Sequence, residues 1–211
     1  GVESPSDFNR WVERLEDSAG VEATDFAAFL EALHRRHDFF HEAGCRLSDH
    51  GIEQPYAADF TAKEAAKAYE KARQAQKPTP AEALKFKSAV MFELARMDAE
   101  KGWVQQFHLG ALRNVNSRAL AALGPDTGYD TIGDWEIARP LARFLDRLDR
   151  EERLAKTILY VMNSRDNEAV AAAIGCFQDG SLPGKMQFGS AWWFNDQKDG
   201  IDKQINALSN L

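Results

Sequence analysis

The sequence predicts an α/β protein, part of a (β/α)8 barrel of the TIM type, and three observations carry that expectation. Four short apolar or β-branched segments are separated from one another by helix-patterned sequence, which suggests βα units around a parallel sheet. Each segment runs at its C-terminal end into a dense polar cluster, with nothing comparable at its N-terminal end. Chemistry gathered on that side marks the mouth of a barrel or the crevice of an open sheet. No GxGxxG or GxxxxGK[ST] loop follows any segment, so the nucleotide-binding open sheet loses ground to the barrel.

Ser4-Pro5 starts a helix that runs to about Asp17, and residues from about 24 to 41 keep a helical period through Phe26, Phe29, Leu30, Leu33 and Phe40. The first strand is CRLS (45 to 48), leading into Ser48-Asp49-His50. Two capping boxes, Thr61-Ala-Lys-Glu64 and Thr79-Pro80-Ala-Glu82, open helices on either side of Pro78, the second with proline where its missing N–H costs nothing. The Lys/Glu-rich stretch from 63 to 87 reads as a solvated helix face with i,i+4 pairs. The second strand, WVQQF (103 to 107), runs into His108 through Arg113-Asn114, and a helix follows from about Asp134 to Arg153. The third strand, TILYVM (157 to 162), is the continuous apolar run expected of a strand covered on both faces, and it leads into Asn163-Ser-Arg-Asp-Asn-Glu168. The fourth, KMQF (185 to 188), leads into Ser190 through Asp196. A closed barrel takes about 250 residues and eight strands. Residues 1–211 therefore read as a single segment of a barrel catalytic domain, with a helix-rich insertion at about 61–101 and two open sheet edges that need flanking sequence or a partner chain.

Composition sets the outer bounds. At 44% hydrophobic, with 13 Phe and 5 Trp, the chain has ample material for a core, which excludes disordered and fibrous classes. A net charge of -7 argues against nucleic-acid or anionic-membrane partners, so an anionic ligand must be captured locally. Two distant cysteines, Cys45 and Cys176, disfavour a disulfide framework or structural zinc and suit a reducing cytoplasm. The opening GVESPSDFNRW lacks the regions of a secretion signal, and the longest apolar run, 169–177, is far below the roughly 20 residues of a membrane span.

The segments GCRLSDH (44 to 50), GWVQQFHLGALRN (102 to 114), KTILYVMNSRDNE (156 to 168) and PGKMQFGSAWWFNDQKDG (183 to 200) closely resemble the uronate isomerase family, also called glucuronate isomerase. The resemblance runs in order over nearly the whole chain. It implies a (β/α)8 branch of the amidohydrolase superfamily, acting in bacterial hexuronate breakdown to interconvert D-glucuronate with D-fructuronate and D-galacturonate with D-tagaturonate. It also implies a divalent metal, typically zinc, held by an HxH pair on the first strand and an aspartate on the last. No HxH occurs here, so no metal ligand is expected in this segment, which resembles an internal piece of the enzyme.

Isomerisation needs a base, a carbonyl polariser and a clamp for the substrate carboxylate. Arg113 offers a guanidinium fork suited to a carboxylate or an enediolate oxygen, and the resemblance implies an active-site role. Asp49, at the first strand's end, is placed in the site by the same resemblance and can take or hand on a proton, against the alternative of a turn cap. His108 shares a strand face with Gln106 and Val104 and has a substrate-facing or a hydrogen-bonded structural role open to it. Of Trp192 and Trp193, alternation assigns one to the core, and the resemblance favours Trp192 for packing on the sugar. Arg165 is a second candidate anion contact, with a salt bridge to Asp166 or Glu168 as the plainer use. His34, His37 and His41 form an i, i+3, i+7 set on one helix, with His37 in the apolar stripe and the other two at its edge, and no carboxylate or cysteine is expected to complete a coordination set, so a metal reading is set aside. The expected substrate is a small-molecule hexuronate, with self-association left open. The rivals are a non-catalytic α/β fragment that needs a partner chain and a metal-dependent hydrolase of the same superfamily.

Overall fold

The structure is a computed structural model that describes residues 1–209, so the last two residues of the expected segment lie outside it. The chain divides into two compact units, one of residues 1–46 and 56–102 and one of residues 47–55 and 103–211.

The first unit is helical: α1 (Pro5–Ala19), α2 (Phe26–Glu42), α3 (Ala62–Arg73) and α4 (Pro80–Lys101). Its core is aromatic. Phe8 meets Tyr69 edge-on at 5.9 Å and Phe86 at 5.6 Å, and Phe29 lies 5.1 Å from Tyr69. Ala65, Ala68 and Ala72 give α3 a fully buried small-residue stripe, so neighbouring helices approach closely. The Tyr69 hydroxyl donates to the Ala23 carbonyl at 2.6 Å, and burial pushes its pKa up to about 12. Because α1 and α2 share this core with α3 and α4, the helical part takes in residues well before 61.

Both capping boxes form as read. The lysines, however, pair across helices rather than along them. Lys71 of α3 donates to Glu82 of α4 at 2.6 Å, and Lys85 of α4 bonds Glu64 of α3. Each capping glutamate thus closes its own helix and grips the other one, because the Pro78 break sets α3 and α4 side by side.

The second unit carries the sheet. β1 (Leu47–Ile52), β2 (Val104–Leu109), β5 (Lys156–Val161) and β6 (Met186–Phe188) are parallel in the order β1-β2-β5-β6. A small antiparallel hairpin of β3 (Ala111–Leu112) and β4 (Thr131–Ile132), with α5 (Ser117–Leu123), follows β2 and was not evident in the sequence. The helices α6 (Ala138–Arg150), α7 (Asn167–Cys176) and α8 (Lys198–Ser209) complete the alternation of strand and helix that defines part of a (β/α)8 barrel.

β1 starts two residues later than expected. Cys45 and Arg46 close α2 instead: the Cys45 N–H donates to the Phe40 carbonyl at 2.9 Å, and Arg46 Nη1 to that of His41 at 2.8 Å. β2 likewise runs on to Leu109, which puts Asp49 and His108 inside strands rather than beyond them. β5 is not covered on both faces among the described residues. Its burial alternates, with Thr157, Leu159 and Val161 buried and Ile158 and Tyr160 half-buried. The buried face meets the helices, as where Phe107 of β2 stacks edge-on against Phe144 of α6 at 5.4 Å.

Candidate active site

The half-buried face of the sheet carries the candidate site. Asp49 pairs in register with Gln106, and Gly51 with His108, so Asp49 and His108 are diagonal neighbours on one face. Their Oδ1 and Nδ1 lie 2.7 Å apart. A carboxylate only accepts, so the imidazole donates from Nδ1.

Two aromatic rings fix the imidazole. Tyr160, its register partner on β5, stacks nearly flat on it, with centroids 4.2 Å apart and planes at 12°. The Tyr160 hydroxyl donates to Gln106 Oε1 at 2.9 Å. Trp192 lies against the same imidazole at 4.6 Å, tilted by 60°. Tyr160 was hidden in a segment read as wholly core, where strict alternation would have set it on the His108 face.

Trp193 is not the core member of its pair. It is exposed, lies 5.9 Å from Trp192, and sits with its ring 5.0 Å from the Arg113 guanidinium carbon. Alternation fails here because Ala191, Trp192 and Trp193 have φ of 59°, 77° and 51° and so have left strand geometry. Left-handed conformations cost non-glycine residues roughly 1–2 kcal/mol each, a strain that persists only where the surroundings impose it.

Arg113 is braced from behind. Its Nη1 donates to Asp130 Oδ2 at 2.8 Å and reaches Asp126 at 3.4 Å. Asp130 also accepts the Asn114 N–H at 2.7 Å, and this bond, followed by the Arg113 contact, holds its carboxyl below the usual range. A side chain added at Gly51 would stand 3.9 Å from Arg113 Nη2, which places that edge of the fork beside the end of β1.

Arg165 is used locally. It bonds Asp134, meets Asp166 at 3.3 Å and donates to the Trp135 carbonyl at 2.7 Å, while burial raises the Asp166 pKa. The structure therefore brings together Asp49, His108 and Trp192 directly and Arg113 through Trp193, and it leaves Arg165 in its own ion-pair cluster.

In the helical unit, carboxylates do reach the histidines. They come from α4, beyond what spacing on α2 reveals: His34 bonds Glu93 at 2.8 Å and His37 bonds Asp98 at 3.0 Å. Glu93 also accepts from Arg96 Nη1 at 3.2 Å. Among the described residues no group of three or more His, Cys, Asp or Glu converges to hold a metal, and Asp49 with His108 offers only two donors. The donor set does not fit the divalent ion that the resemblance implies.

A parallel β/α segment with a carboxylate-bonded imidazole, an aromatic wall and an arginine at its strand ends is a portion of a (β/α)8 barrel with its polar chemistry gathered on the C-terminal side of the strands. The sequence profile of the glucuronate isomerase family matches residues 2–211, and the chain belongs to that family. It is 52% identical over 210 residues to the uronate isomerase of Bacteroides fragilis and 53% identical over 210 residues to that of Cellvibrio japonicus, in each case covering 100% of this chain and 45% of the relative. Among solved structures, the uronate isomerase of Thermotoga maritima superposes with a TM-score of 0.86 at 30% identity, over 95% of this chain and 43% of the other. The glucuronate isomerase of Caulobacter crescentus gives 0.84 at 28% identity, over 99% and 43%. The chain thus spans somewhat under half the length of these relatives.

Proposed function

We propose that this chain contributes part of the active site of a uronate isomerase, an aldose–ketose isomerase that interconverts D-glucuronate with D-fructuronate and D-galacturonate with D-tagaturonate through an enediol. The observation that carries the reading is the Asp49–His108 pair, seated under Trp192 on the open face of the sheet and flanked by Arg113. Asp49 fixes the imidazole by accepting its Nδ1–H hydrogen bond, and Nε2 is the ring nitrogen left to exchange protons with a sugar carbon or hydroxyl. Trp192 offers an apolar wall for the carbon skeleton and excludes water from an enediol. Arg113, neutralised on one edge by Asp130, presents the remaining donors to the hexuronate carboxylate or a developing enediolate oxygen.

A divalent metal, typically zinc, supplies polarisation of the carbonyl in the family reading. Its ligands would come from parts of the complete enzyme other than these residues, and no step here is assigned to it. The proposed setting is a bacterial cytoplasm, in keeping with relatives named from bacteria, with the hexuronate as partner and self-association open. Nucleic-acid and membrane partners are not part of the proposal, and among the described residues no helix is long and apolar enough to cross a membrane. Titration of the chain with D-glucuronate and D-glucose tests the reading. Saturable changes at the Trp192 indole and His108 imidazole signals are expected with the uronate and not with glucose. Equal response to both sugars, or to neither, overturns it.

A further inference from the structure

The two tryptophans reach their partners from a turn that local sequence disfavours. β6 pairs with β5 no further than the Gly189 N–H, which donates to the Leu159 carbonyl at 2.8 Å. The carbonyls of Val161 and Met162 lie past that end. Asn195 fills the gap with its side chain: one buried amide nitrogen donates to Val161 O at 2.9 Å and to Met162 O at 3.0 Å. The amide completes the edge that β6 has left, so the backbone is free to rise off the sheet between 190 and 194.

A second buried amide ties the other end. Gln204 of α8 accepts the Ala191 N–H at 2.7 Å. Gly200 lets α8 approach this closely, since a side chain there would stand 2.5 Å from the Asn195 carbonyl oxygen. Between the two ties sit the three positive-φ residues, and within them Trp192 on His108 and Trp193 on Arg113.

We propose that Asn195, with Gln204 tying the other end at Ala191, is a positioning residue: it holds the Ala191–Trp192–Trp193 turn in its strained conformation and so seats Trp192 on the His108 imidazole and Trp193 on the Arg113 guanidinium. This rests on the reading of His108 and Arg113 as site groups, but its test needs no turnover. An aromatic ring at these distances shifts the magnetic resonances of the group it covers, so the His108 ring and Arg113 Nε–H signals report the two seats. Trp192→Leu and Trp193→Leu set the values without each ring.

In Asn195→Ala, both signals are expected to move most of the way to those values while methyl signals around Phe144 stay in place. Adding Ala191→Gly, which removes the side-chain penalty at one positive φ, is expected to return part of the shift. Gln204→Met keeps the side-chain length but removes the acceptor, and it carries the same comparison, with a smaller shift, should Asn195→Ala fail to fold. Unchanged His108 and Arg113 signals in a folded variant overturn the proposal. So does a change spread equally through the Phe144 core, which would make Asn195 a general stability residue. If the seats are lost as expected but isomerisation by the complete enzyme is not, the positioning role stands and the functional reading of Trp192 falls.

Discussion

Gly189→Ala tests the geometry around His108 with one methyl group. Gly189 is outside the positive-φ glycines, so alanine is acceptable to the backbone and the effect is steric. A Cβ built there lies 2.2 Å from Tyr160 Cε1 and 2.4 Å from Cζ, so the phenol ring must move by about an ångström to reach ordinary contact. That ring is constrained on its other sides by the His108 stack at 4.2 Å and by its hydroxyl bond to Gln106 at 2.9 Å. Overpacking of this kind costs about 1–3 kcal/mol, and loss of the phenol hydrogen bond adds about 0.5–1.5 kcal/mol. Reduced freedom of the unfolded chain returns about 0.4–1 kcal/mol, leaving a net loss of roughly 0.5–4 kcal/mol. For a chain of this size that corresponds to a fall in Tm of about 1–16 °C, read by thermal unfolding. The double variant separates cause from coincidence: once Tyr160→Leu has removed the ring, adding Gly189→Ala is expected to cost under about 0.5 kcal/mol. A Gly189→Ala protein as stable as the parent, with the Tyr160 and His108 ring signals unmoved, would refute the packing argument.

Three further outcomes follow from the same structure. Replacing the residue that matches Arg113 by Met in a complete family member is expected to lower kcat by roughly a hundredfold to a thousandfold if the fork meets a developing oxyanion, and to raise KM alone if it clamps the carboxylate equally throughout; steady-state rates within about threefold of the parent on both parameters count against any role. Acid should loosen the helical unit: the bonds from Lys85 and from the Thr61 cap hold the Glu64 pKa at about 2, and those from Lys71 and the Thr79 cap do the same for Glu82, against an ordinary value of 4.5. Depressed carboxylate pKa values stabilise above the unfolded value, so this contribution is full above about pH 4.5 and is lost as pH falls toward 2; urea unfolding across that window is expected to show the loss, and Glu64→Gln with Glu82→Gln to flatten it. Finally, the chain alone is expected to retain no stoichiometric zinc after dialysis and to show no uronate isomerase activity, and one tightly held zinc per chain by elemental analysis would point to a missed site, with His108 the first suspect.

What was legible in the sequence was what short-range chemistry decides. The two capping boxes are closed by residues three apart, so Thr61, Glu64, Thr79 and Glu82 announced both helices, and the polar clusters announced the ends of the strands. The Asp49–His108 bond joins residues 59 apart and depends on the register of β1 on β2; sequence reading supplied both members but not their pairing. Strand limits slipped for the same reason, since Cys45 and Arg46 have strand-like neighbours yet are claimed by the end of α2. The tryptophan turn was illegible in a deeper sense. Ala-Trp-Trp has no local preference for positive φ, and alternation therefore sent one indole to the core. The actual geometry is imposed by Asn195 reaching back to β5 and by Gln204 of α8, two amides whose partners lie 33 or 34 and 13 residues away. A segment whose local rules fail while buried side chains enforce the failure is one where conformation is maintained at the expense of stability. That the same segment carries the indole against His108 and the indole over Arg113 makes the strain part of how the candidate site is assembled.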